Sequence, residues 1–457
     1  MTDQIYIKEL VAKSKKALKE FEFFNQKTID RIIRELAKYV FDHAEELARM
    51  AQSETRMGSV EDKTKKHLGK SRIMWHSLKG KKAIGIISED EELGIIEVAK
   101  PIGVLGAIQP CTNPIVTPMA NAMAALKGRN TIIIAPHPRA VYCTKFLIDE
   151  WNKLLKKHNA PENIIQCVEE VNIERSNLLM KMTDVSVATG GPGMVKAAYS
   201  SGKPSFGVGP GNVQCIIDRG VDIKKAVEII VGGRIFDNGI ICSGEQTIIT
   251  PEEIYDDVID ELKFNGGYVV ENQKERETLL DVLFPEGKLN RKLIGQEVQA
   301  IAKTAGIEMP EDTKVIVIPE EASNKDSLLR KEKMFPVITP FKYKEFSEAV
   351  NIALENLDIE GKGHSVVIHS ENKDHILELA EKAPVSRVLV NQPCSSTSGG
   401  SFSNGLNPTS TLGCGSWGNN SISENFYYKH LLNITRIANI RENTVIPSDE
   451  EIWAEEV

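Results

Sequence analysis

The sequence predicts an α/β fold built as two domains. From Ile102 onward, strand, loop and helix patterns alternate, which is typical of a doubly wound parallel sheet. One of the strand patterns, NTIIIAPHP, is continuously apolar up to Pro136, as expected for a strand that is buried on both faces. A chain of 457 residues is also too long for one small core, so a second domain is expected.

The part before Ile102 predicts helices and a hairpin. Residues 5–54 carry apolar side chains every three or four positions among Lys, Arg and Glu, which predicts helix. Residues 82–101 contain two β-rich runs around an acidic turn, which predicts a β-hairpin. Such a hairpin often serves as an arm for subunit pairing, and a plain surface hairpin is an equally good interpretation.

The alternating part divides near residue 222. Before this point, GVLGAIQP, NTIIIAPHP, IIQCVE and DVSVATGG predict strands. After it a second alternation begins, and ITRIANI in the tail predicts one more strand. The predicted divisions are a first domain over 1–221 that includes the hairpin arm at about 82–101, a second domain over 222–410, and a C-terminal segment, 411–457, that returns to the first domain and the arm.

Composition argues against several classes of protein. The net charge of −8 disfavours nucleic acid as a partner, because phosphate binding needs a basic face. No apolar run is long enough for a signal peptide or a membrane span. The seven cysteines are widely spaced, without a CxxC pair or a Cys/His cluster, so neither a metal site nor a disulfide framework is supported. We therefore expect free thiols in the reducing cytoplasm.

Glycines follow a predicted strand in ATGGPGMVKAAYSSGKP, residues 188–204. Gly190, Gly191 and Gly193 stand where the strand turns into a helix, so a phosphate could approach the backbone at the helix N-terminus. The pattern matches neither GxGxxG nor the P-loop, and a tight turn explains it equally well. His137 and Arg139 favour a ligand site, because they would lie at the carboxyl end of a parallel strand.

Three further residues could take part in chemistry. Asn113, in a loop after a strand, could donate to a developing oxyanion, although Asn-Pro also simply starts a turn. Cys242, in DNGIICSGEQTII, could be a nucleophile, yet this stretch by itself favours a structural cysteine. His364 opens an apolar strand after a Gly-Lys-Gly loop and could either move protons or cap the strand.

Five motifs together resemble those of the aldehyde dehydrogenase superfamily and of its coenzyme A-acylating branch. In chain order they are GRNTIIIAPHPRA, ATGGPGMVKAAYSSGKP, FGVGPGN, DNGIICSGEQ and TLGCGSWGNNSISEN. The resemblance covers about residues 5–455, and KEKMFPV and GGSFSNGLNPTSTLGCGSWG are most similar to the clostridial CoA-dependent succinate-semialdehyde dehydrogenases of that branch. It implies a Rossmann-type cofactor domain, an α/β catalytic domain and a hairpin arm that forms a homodimer or a higher homo-oligomer.

The resemblance also implies roles for individual residues. Cys242 matches the catalytic nucleophile, Asn113 the oxyanion-hole asparagine and His364 a histidine that assists proton transfer. Hydrolytic relatives carry a water-activating glutamate where this chain has Gly207, so the acyl-enzyme is expected to wait for the thiol of CoA. The residues that match the nicotinamide-cofactor site are His137, Pro138, Arg139, Gly190, Gly191, Gly193, Gly209 and Glu332.

The substrates expected from the resemblance are small molecules, succinyl-CoA in one direction and succinate semialdehyde with CoA in the other. Ser243, Lys70, Arg72 and Ser396 are candidates for holding the succinyl carboxylate. Arg139 favours NADP, and NAD stays open because NAD-using relatives share the His-Pro-Arg sequence. Acetaldehyde, propionaldehyde and butyraldehyde are the alternative substrates, and a non-enzymatic scaffold is disfavoured because the catalytic set is complete.

Overall fold

The computed structural model describes residues 2–441 and 444–455. Its strands, in chain order, are β1 (Gly85–Asp90), β2 (Ile95–Pro101), β3 (Val104–Ile108), β4 (Thr131–Ala135), β5 (Ile165–Cys167), β6 (Val185–Thr189), β7 (Ser205–Val208), β8 (Val213–Ile217), β9 (Glu245–Pro251), β10 (Gly267–Val269), β11 (Val315–Val317), β12 (Val337–Tyr343), β13 (Val366–His369), β14 (Val388–Val390) and β15 (Leu432–Ala438). Its helices, in chain order, are α1 (Asp3–Phe21), α2 (Gln26–Asp42), α3 (Ala44–Thr55), α4 (Val60–Leu78), α5 (Val116–Lys127), α6 (Val141–Lys157), α7 (Ile173–Met182), α8 (Pro192–Tyr199), α9 (Ile223–Ile235), α10 (Tyr255–Phe264), α11 (Gln273–Leu283), α12 (Val298–Ala305), α13 (Phe346–Ile359), α14 (Lys373–Lys382), α15 (Cys394–Thr397) and α16 (Asp449–Ile452).

The strands form three sheets. A five-stranded sheet has the order β5-β4-β3-β6-β7, and a seven-stranded sheet has the order β10-β11-β12-β9-β8-β13-β14. Neighbouring strands run parallel in both. The hairpin strands β1 and β2 pair antiparallel, and β15 adds to β2. The predicted α/β fold with a β-hairpin is therefore confirmed.

The strand order of the five-stranded sheet reverses between β3 and β6. β4 and β5 lie on one side of β3, whereas β6 and β7 lie on the other. Ile108, the last residue of β3, pairs with residues at the carboxyl ends of β4 and β6, so the loops after these three strands leave from one edge. Open α/β sheets bind ligands at such a switch point. The loops at this edge carry Asn113, His137 and Gly190.

Burial explains why the apolar runs of this part fold as they do. All residues of β3 and β4 are buried, which fits their continuously apolar sequence. All residues of α5 are buried as well, because its alanines allow close packing against the sheet and against α2 and α4. No helix of the described residues has both the length and the apolar character needed to cross a bilayer.

The region predicted as helical over 5–54 contains the three helices α1, α2 and α3. The first helix ends at Phe21, and α2 starts where the Asn25 side chain accepts the N–H of Thr28 at 2.9 Å. His43 separates α2 from α3. The hydrophobic period continues across both breaks, so periodicity alone could not reveal them, whereas the Asn cap is a local start signal.

The seven-stranded sheet begins before residue 221, where the first domain was predicted to end. β8 lies within this sheet, between β9 and β13, so the chain passes from one sheet to the other between β7 and β8. The predicted boundary thus falls after a strand of the second sheet. The reason is that β8 is a buried apolar run like those before it, and nothing in its composition marks the change of sheet.

Asn130 connects the hairpin arm, the first sheet and the C-terminal segment. Its side-chain oxygen accepts the N–H groups of Ile102 and Gly103 at 2.7 and 2.9 Å. Its amide nitrogen donates to the carbonyls of Ala125 and Leu431 at 3.1 and 2.9 Å. The side chain is 1% exposed and makes all of these hydrogen bonds away from water.

Replacing Asn130 by Ala is expected to lower the apparent Tm by several degrees. Two N–H groups and the Leu431 carbonyl would lose their partner, whereas the Ala125 carbonyl keeps the backbone N–H groups of residues 128 and 130. Each unsatisfied buried group costs about 1–3 kcal/mol. Asn433→Ala is the matched control, because Asn433 is exposed and donates only to the Pro101 carbonyl. Differential scanning fluorimetry measures both variants, and equal small shifts would contradict the connecting role of Asn130.

Candidate active site

A cavity of about 400 Å³ brings together several residues predicted from the sequence. Cys242 and Asn113 both line it, and so do Ser243, Lys70 and Ser396. The predicted nucleophile, the predicted oxyanion donor and these three substrate candidates therefore share one space.

One wall of this cavity is a face of α4. Lys66, Lys70 and Ile73 follow one another at helical spacing, so they lie on the same side of the helix. Lys65 and the fourth substrate candidate, Arg72, also line the cavity from exposed positions. The residues lining the cavity thus include four cations and no carboxylate.

Lys70 links this wall to the opposite one. Its Nζ donates to the carbonyl of Gly399 at 2.9 Å and lies 3.4 Å from that of Thr409. Burial lowers the pKa of Lys70 to about 8, and Lys66 adds repulsion. Because an ammonium carries three N–H donors, at least one remains for a ligand in the cavity.

The two serine candidates, Ser243 and Ser396, line the cavity from the loop after Cys242 and from the segment around Ser395. The Ser243 hydroxyl is buried and donates to the Ser395 carbonyl at 3.3 Å, which ties the residue after Cys242 to this loop. Ser396 is exposed at the start of α15. Ser396 can therefore meet a ligand freely, whereas Ser243 already has a protein partner.

Asn113 is held by a buried ion pair. Lys66 Nζ lies 2.7 Å from Asn113 Oδ1 and 2.6 Å from Asp237 Oδ2. Lys63 Nζ contacts the same Asp237 oxygen at 3.0 Å. Burial raises the pKa of the Asp237 carboxyl, but the two lysines outweigh it and hold the pKa below its usual value. Burial also lowers the pKa of Lys63 to about 8.

Cys242 lies in the loop between α9 and β9. This loop starts with Asp237 and Asn238 at positive φ, 53° and 54°, and closes when the Gly244 N–H donates to the Ile241 carbonyl at 2.8 Å. Burial raises the pKa of the Cys242 thiol to about 12. In this structure the sulfur is therefore a protonated thiol at neutral pH.

Gly211 brings two further predicted residues next to Cys242. A Cβ atom on Gly211 would lie 1.8 Å from the Cys242 carbonyl oxygen and 3.3 Å from His364 Cδ2. The Gly211 N–H donates to Glu332 Oε1 at 3.3 Å. Neither His364 nor Glu332 lines the cavity, so both approach the nucleophile from outside it.

The His364 ring is fully buried and without a hydrogen-bond partner among the described residues. Burial, with repulsion from Arg387, lowers its pKa to about 3, so the imidazole is neutral at physiological pH. The Arg387 guanidinium donates to the carbonyls of His364 and Gly413 at 2.7 and 2.9 Å and fixes the backbone here. One nitrogen of the neutral ring has a free lone pair, and the burial that keeps the ring neutral also disfavours its protonated form.

The glycines of the predicted cofactor site border the switch point of the first sheet. β6 leads through Gly190 into α8, whose N-cap is Gly191. A Cβ atom on Gly191, Gly193 or Gly209 would meet no atom within 4 Å. The backbone and the start of a helix are thus open here, which fits the pyrophosphate of a dinucleotide.

The other predicted cofactor residues follow β4 at the same edge. Pro138 and Arg139 are exposed, and His137 is half-buried. The Arg139 guanidinium donates to the Thr55 carbonyl, and the Arg139 backbone N–H donates to His137 Nδ1 at 3.1 Å. Since a guanidinium has five donors, Arg139 keeps most of them for a ligand.

Gly207 lies in β7, where a side chain has no room. A Cβ atom there would lie 2.8 Å from both the Tyr199 ring and Val195. The Gly207 N–H donates to the Tyr199 hydroxyl at 2.8 Å. Tyr199 thus occupies the space next to the backbone at the position where hydrolytic relatives were expected to carry an acid.

The sequence matches the profile described as "Aldehyde dehydrogenase family" over residues 2–431. The chain belongs to the aldehyde dehydrogenase family. This aldehyde dehydrogenase is 51% identical over 453 residues to the succinate-semialdehyde dehydrogenase (acetylating) of Clostridium kluyveri, covering 99% of this chain and 100% of that one. It is 38% identical over 452 residues to the sulfoacetaldehyde dehydrogenase of an Acholeplasma species, covering 97% and 93% of the two chains.

Structural comparison agrees with the sequence. This aldehyde dehydrogenase matches the crystal structure of an acetylating aldehyde dehydrogenase from Geobacillus thermoglucosidasius with a TM-score of 0.93, 38% identity and 98% coverage of each chain. The predicted family, its oxidoreductase character and the similarity to acylating members are therefore confirmed.

Three residues of the site escaped the sequence analysis. Lys66 and Asp237 hold Asn113, and Gly211 touches Cys242, His364 and Glu332. The spacing of the lysines in EDKTKKHLGK already places Lys63, Lys66 and Lys70 near one face of a helix, and this signal could have revealed the cationic wall. The contacts of Asp237 and Gly211 depend on tertiary packing and carry no local signal.

The described residues of this aldehyde dehydrogenase contain no cluster of side chains suited to bind a metal ion. Within residues 2–441 and 444–455, no group of three or more His, Cys, Asp or Glu side chains could hold a metal ion. All seven cysteines are free. The thiol chemistry of the site therefore centres on Cys242, which alone of the seven lines the cavity.

Alkylation of Cys242 by iodoacetamide is expected to accelerate about tenfold per pH unit from pH 7 to 9, because only the thiolate reacts and the pKa of the thiol is raised to about 12.

Burial raises the pKa of Glu332 to about 8, so its negative charge disfavours the Cys242 thiolate mainly above that pH. Glu332→Gln should therefore speed alkylation there. Mass spectrometry of the Cys242 peptide measures the rates, with Glu311→Gln, an exposed carboxylate, as the control. A plateau below pH 9 would contradict the raised pKa.

Proposed function

We propose that this chain interconverts succinate semialdehyde, CoA and NAD(P)⁺ with succinyl-CoA and NAD(P)H through a thioester on Cys242. The observation that carries the proposal is the single cavity that Cys242 and Asn113 share with four cations and no carboxylate. The 51% identity with the Clostridium kluyveri enzyme supports the same substrate. The filled space at Gly207 supports CoA rather than water as the acyl acceptor.

The residues of the site suggest how the reaction runs. In aldehyde oxidation, the Cys242 thiol gives its proton to solvent in the cavity and its sulfur bonds to the aldehyde carbon, while the π electron pair of the carbonyl moves to the oxygen. The Asn113 amide and the Cys242 backbone N–H donate to the oxygen as it becomes negative. A nicotinamide held by the residues of the predicted cofactor site would accept the hydride. The thiol of CoA then attacks the Cys242 thioester, and its proton passes to the Cys242 sulfur as that sulfur leaves with the electron pair of the broken bond. His364 would relay this proton between the two sulfurs, and succinyl-CoA is released.

The cofactor proposed here is NADP, with NAD as the alternative. Gly190, Gly191 and Gly193 would hold the pyrophosphate, and Glu332 the ribose beside the nicotinamide. Arg139 keeps donors free beside His137 and Pro138, and residues 135–140 contain no acid that would repel a 2′-phosphate.

Lys70 is the residue we propose for the succinyl carboxylate. It is the one lysine of the cavity wall whose protein partners are backbone carbonyls rather than a carboxylate, which leaves its charge uncompensated. Arg72 at the rim and the hydroxyls of Ser243 and Ser396 would supply further donors. The sulfoacetaldehyde dehydrogenase of Acholeplasma is named for an anionic aldehyde as well, which supports a cationic pocket as a shared device.

A homodimer or higher homo-oligomer in the cytoplasm is also proposed. Apolar side chains are exposed on the arm and on the tail that follows it, namely Ile86, Leu93, Ile437, Ile440 and Trp453. Burial of such side chains against a second copy is favourable. The seven free cysteines support a reducing compartment.

The proposal is tested by steady-state kinetics with succinyl-CoA and acetyl-CoA, each with NADPH and with NADH. We expect the highest kcat/KM for succinyl-CoA with NADPH, and no turnover above background for Cys242→Ala. Arg139→Leu should lower kcat/KM with NADPH more than with NADH. Higher kcat/KM for acetyl-CoA would favour the short-aldehyde alternative, and CoA-dependent turnover by Cys242→Ala would rule out the thioester.

Replacing Lys70 by Met is expected to lower kcat/KM for succinyl-CoA by at least about tenfold, since a hydrogen bond to a charged group contributes about 1.5–3 kcal/mol. For acetyl-CoA, which has no terminal carboxylate, the change should stay within about threefold. Lys65→Met is the control, because Lys65 lies at the rim and pairs with Glu61. Equal losses for both acyl groups would contradict carboxylate recognition by Lys70.

A further inference from the structure

We propose that Lys66 is the positioning residue of the oxyanion site and that it acts through Asn113. The inference rests on the proposed function, in which the Asn113 amide donates to the reacting oxygen. Lys66 fixes which atom of that amide faces the cavity, and Asp237 anchors Lys66 to the loop of the nucleophile.

The chemistry of the contact determines the orientation of the amide. An ammonium group can only donate hydrogen bonds, so the Asn113 atom 2.7 Å from Lys66 Nζ has to be the oxygen. The Asn113 nitrogen then points away from Lys66, and within the described residues no protein group accepts a hydrogen bond from it. Since Asn113 and Cys242 line the same cavity, this N–H₂ group is available to a ligand there.

Without Lys66 the amide would have two orientations of similar free energy. Only one of them presents donors to a negative oxygen, whereas the other presents the carbonyl oxygen and repels it. The lysine removes this ambiguity, and its charge also polarises the amide, which strengthens the N–H groups as donors.

The anchor of Lys66 lies in the same loop as Cys242. Asp237 accepts from Lys66 at 2.6 Å, and its other carboxylate oxygen accepts the N–H of Ser59 at 3.0 Å, at the start of α4. The Asp237 N–H in turn donates to Asp62 at 2.9 Å. A chain of contacts therefore runs from the nucleophile loop through α4 to Asn113, which sets the sulfur and the oxyanion donor relative to each other.

Lys66 brings a positive charge next to the oxyanion site. Asp237 pairs with both Lys63 and Lys66 in a buried place. The Lys66 ammonium lies 2.7 Å from the oxygen of the amide that meets the developing oxyanion. Lys66 thus favours the charged intermediate over the neutral aldehyde, which is the condition for accelerating the chemical step.

A double-mutant cycle tests the proposal. Asn113→Ala, Lys66→Met and the double variant are compared by pre-steady-state NADPH formation with succinate semialdehyde and with butyraldehyde, which has no carboxylate. Lys66→Met should slow the first turnover by about tenfold or more with both aldehydes, toward the loss of about 10²–10³ expected for a missing oxyanion donor. In the Asn113→Ala background the same change should slow it by less than about threefold. Lys66→Arg, which can still donate to Oδ1, should recover part of the rate.

Lys63→Met is the matched control, because it removes the other cation of Asp237 without touching Asn113. It should lower the Tm as much as Lys66→Met but slow the first turnover clearly less, because the contact between Lys66 and Asn113 remains. An additive double variant, an equal loss in Lys63→Met, or a loss confined to succinate semialdehyde would overturn the role of Lys66. An unchanged rate in Asn113→Ala would instead overturn the oxyanion step of the proposed function.

Discussion

The buried Asp237 carboxylate and its two lysines are the interaction on which the site depends. They join α4, which forms one wall of the cavity, to the loop that carries Cys242. Removing one partner from a buried ion pair costs about 3–5 kcal/mol, because the other charge is left without compensation. The arrangement therefore resists small displacements, and Asn113 inherits this rigidity through its contact with Lys66.

Close backbone contacts at glycines also fix the position of the loop that carries Cys242. A Cβ atom on Gly211 would lie 1.8 Å from the Cys242 carbonyl, and one on Gly363 would lie 1.8 Å from the Cys414 carbonyl. Gly239 is packed in the same way against the Phe335 carbonyl at 2.4 Å. Motifs such as FGVGPGN and DNGIIC thus contain glycine where two backbone segments touch, and a larger residue would push the nucleophile out of place.

Much of the fold follows from local patterns in the sequence. The buried strands β3 and β4, the helix α5 and the hairpin arise from apolar runs, small residues and an acidic turn that act within a few positions of one another. The position of β8 does not follow from local patterns. An apolar strand fits either sheet, so the strands that pair with β8 determine the sheet to which it belongs. Of the two breaks within residues 5–54, the one before α2 is marked by the capping side chain of Asn25, whereas His43 at the other makes no capping hydrogen bond through its side chain.

The site was predictable to a lesser extent. Family motifs located Cys242 and Asn113, which the structure brings to one cavity although Asn113 alone suggested only a turn. The contacts that surround them join residues far apart in the chain, such as Lys66 with Asp237, and no local pattern encodes them. Sequence therefore predicts candidate residues for the chemistry, whereas their orientation depends on long-range electrostatics and packing.

The raised pKa of Cys242 affects how readily its thiol is oxidised between turnovers. Oxidation by peroxides proceeds through the thiolate, so a half-buried sulfur that keeps its proton reacts slowly with oxidants. A Cys242 thiol that keeps its proton is protected from irreversible conversion to sulfinic acid. The burial that slows attack on a substrate therefore also preserves the enzyme against oxidative damage.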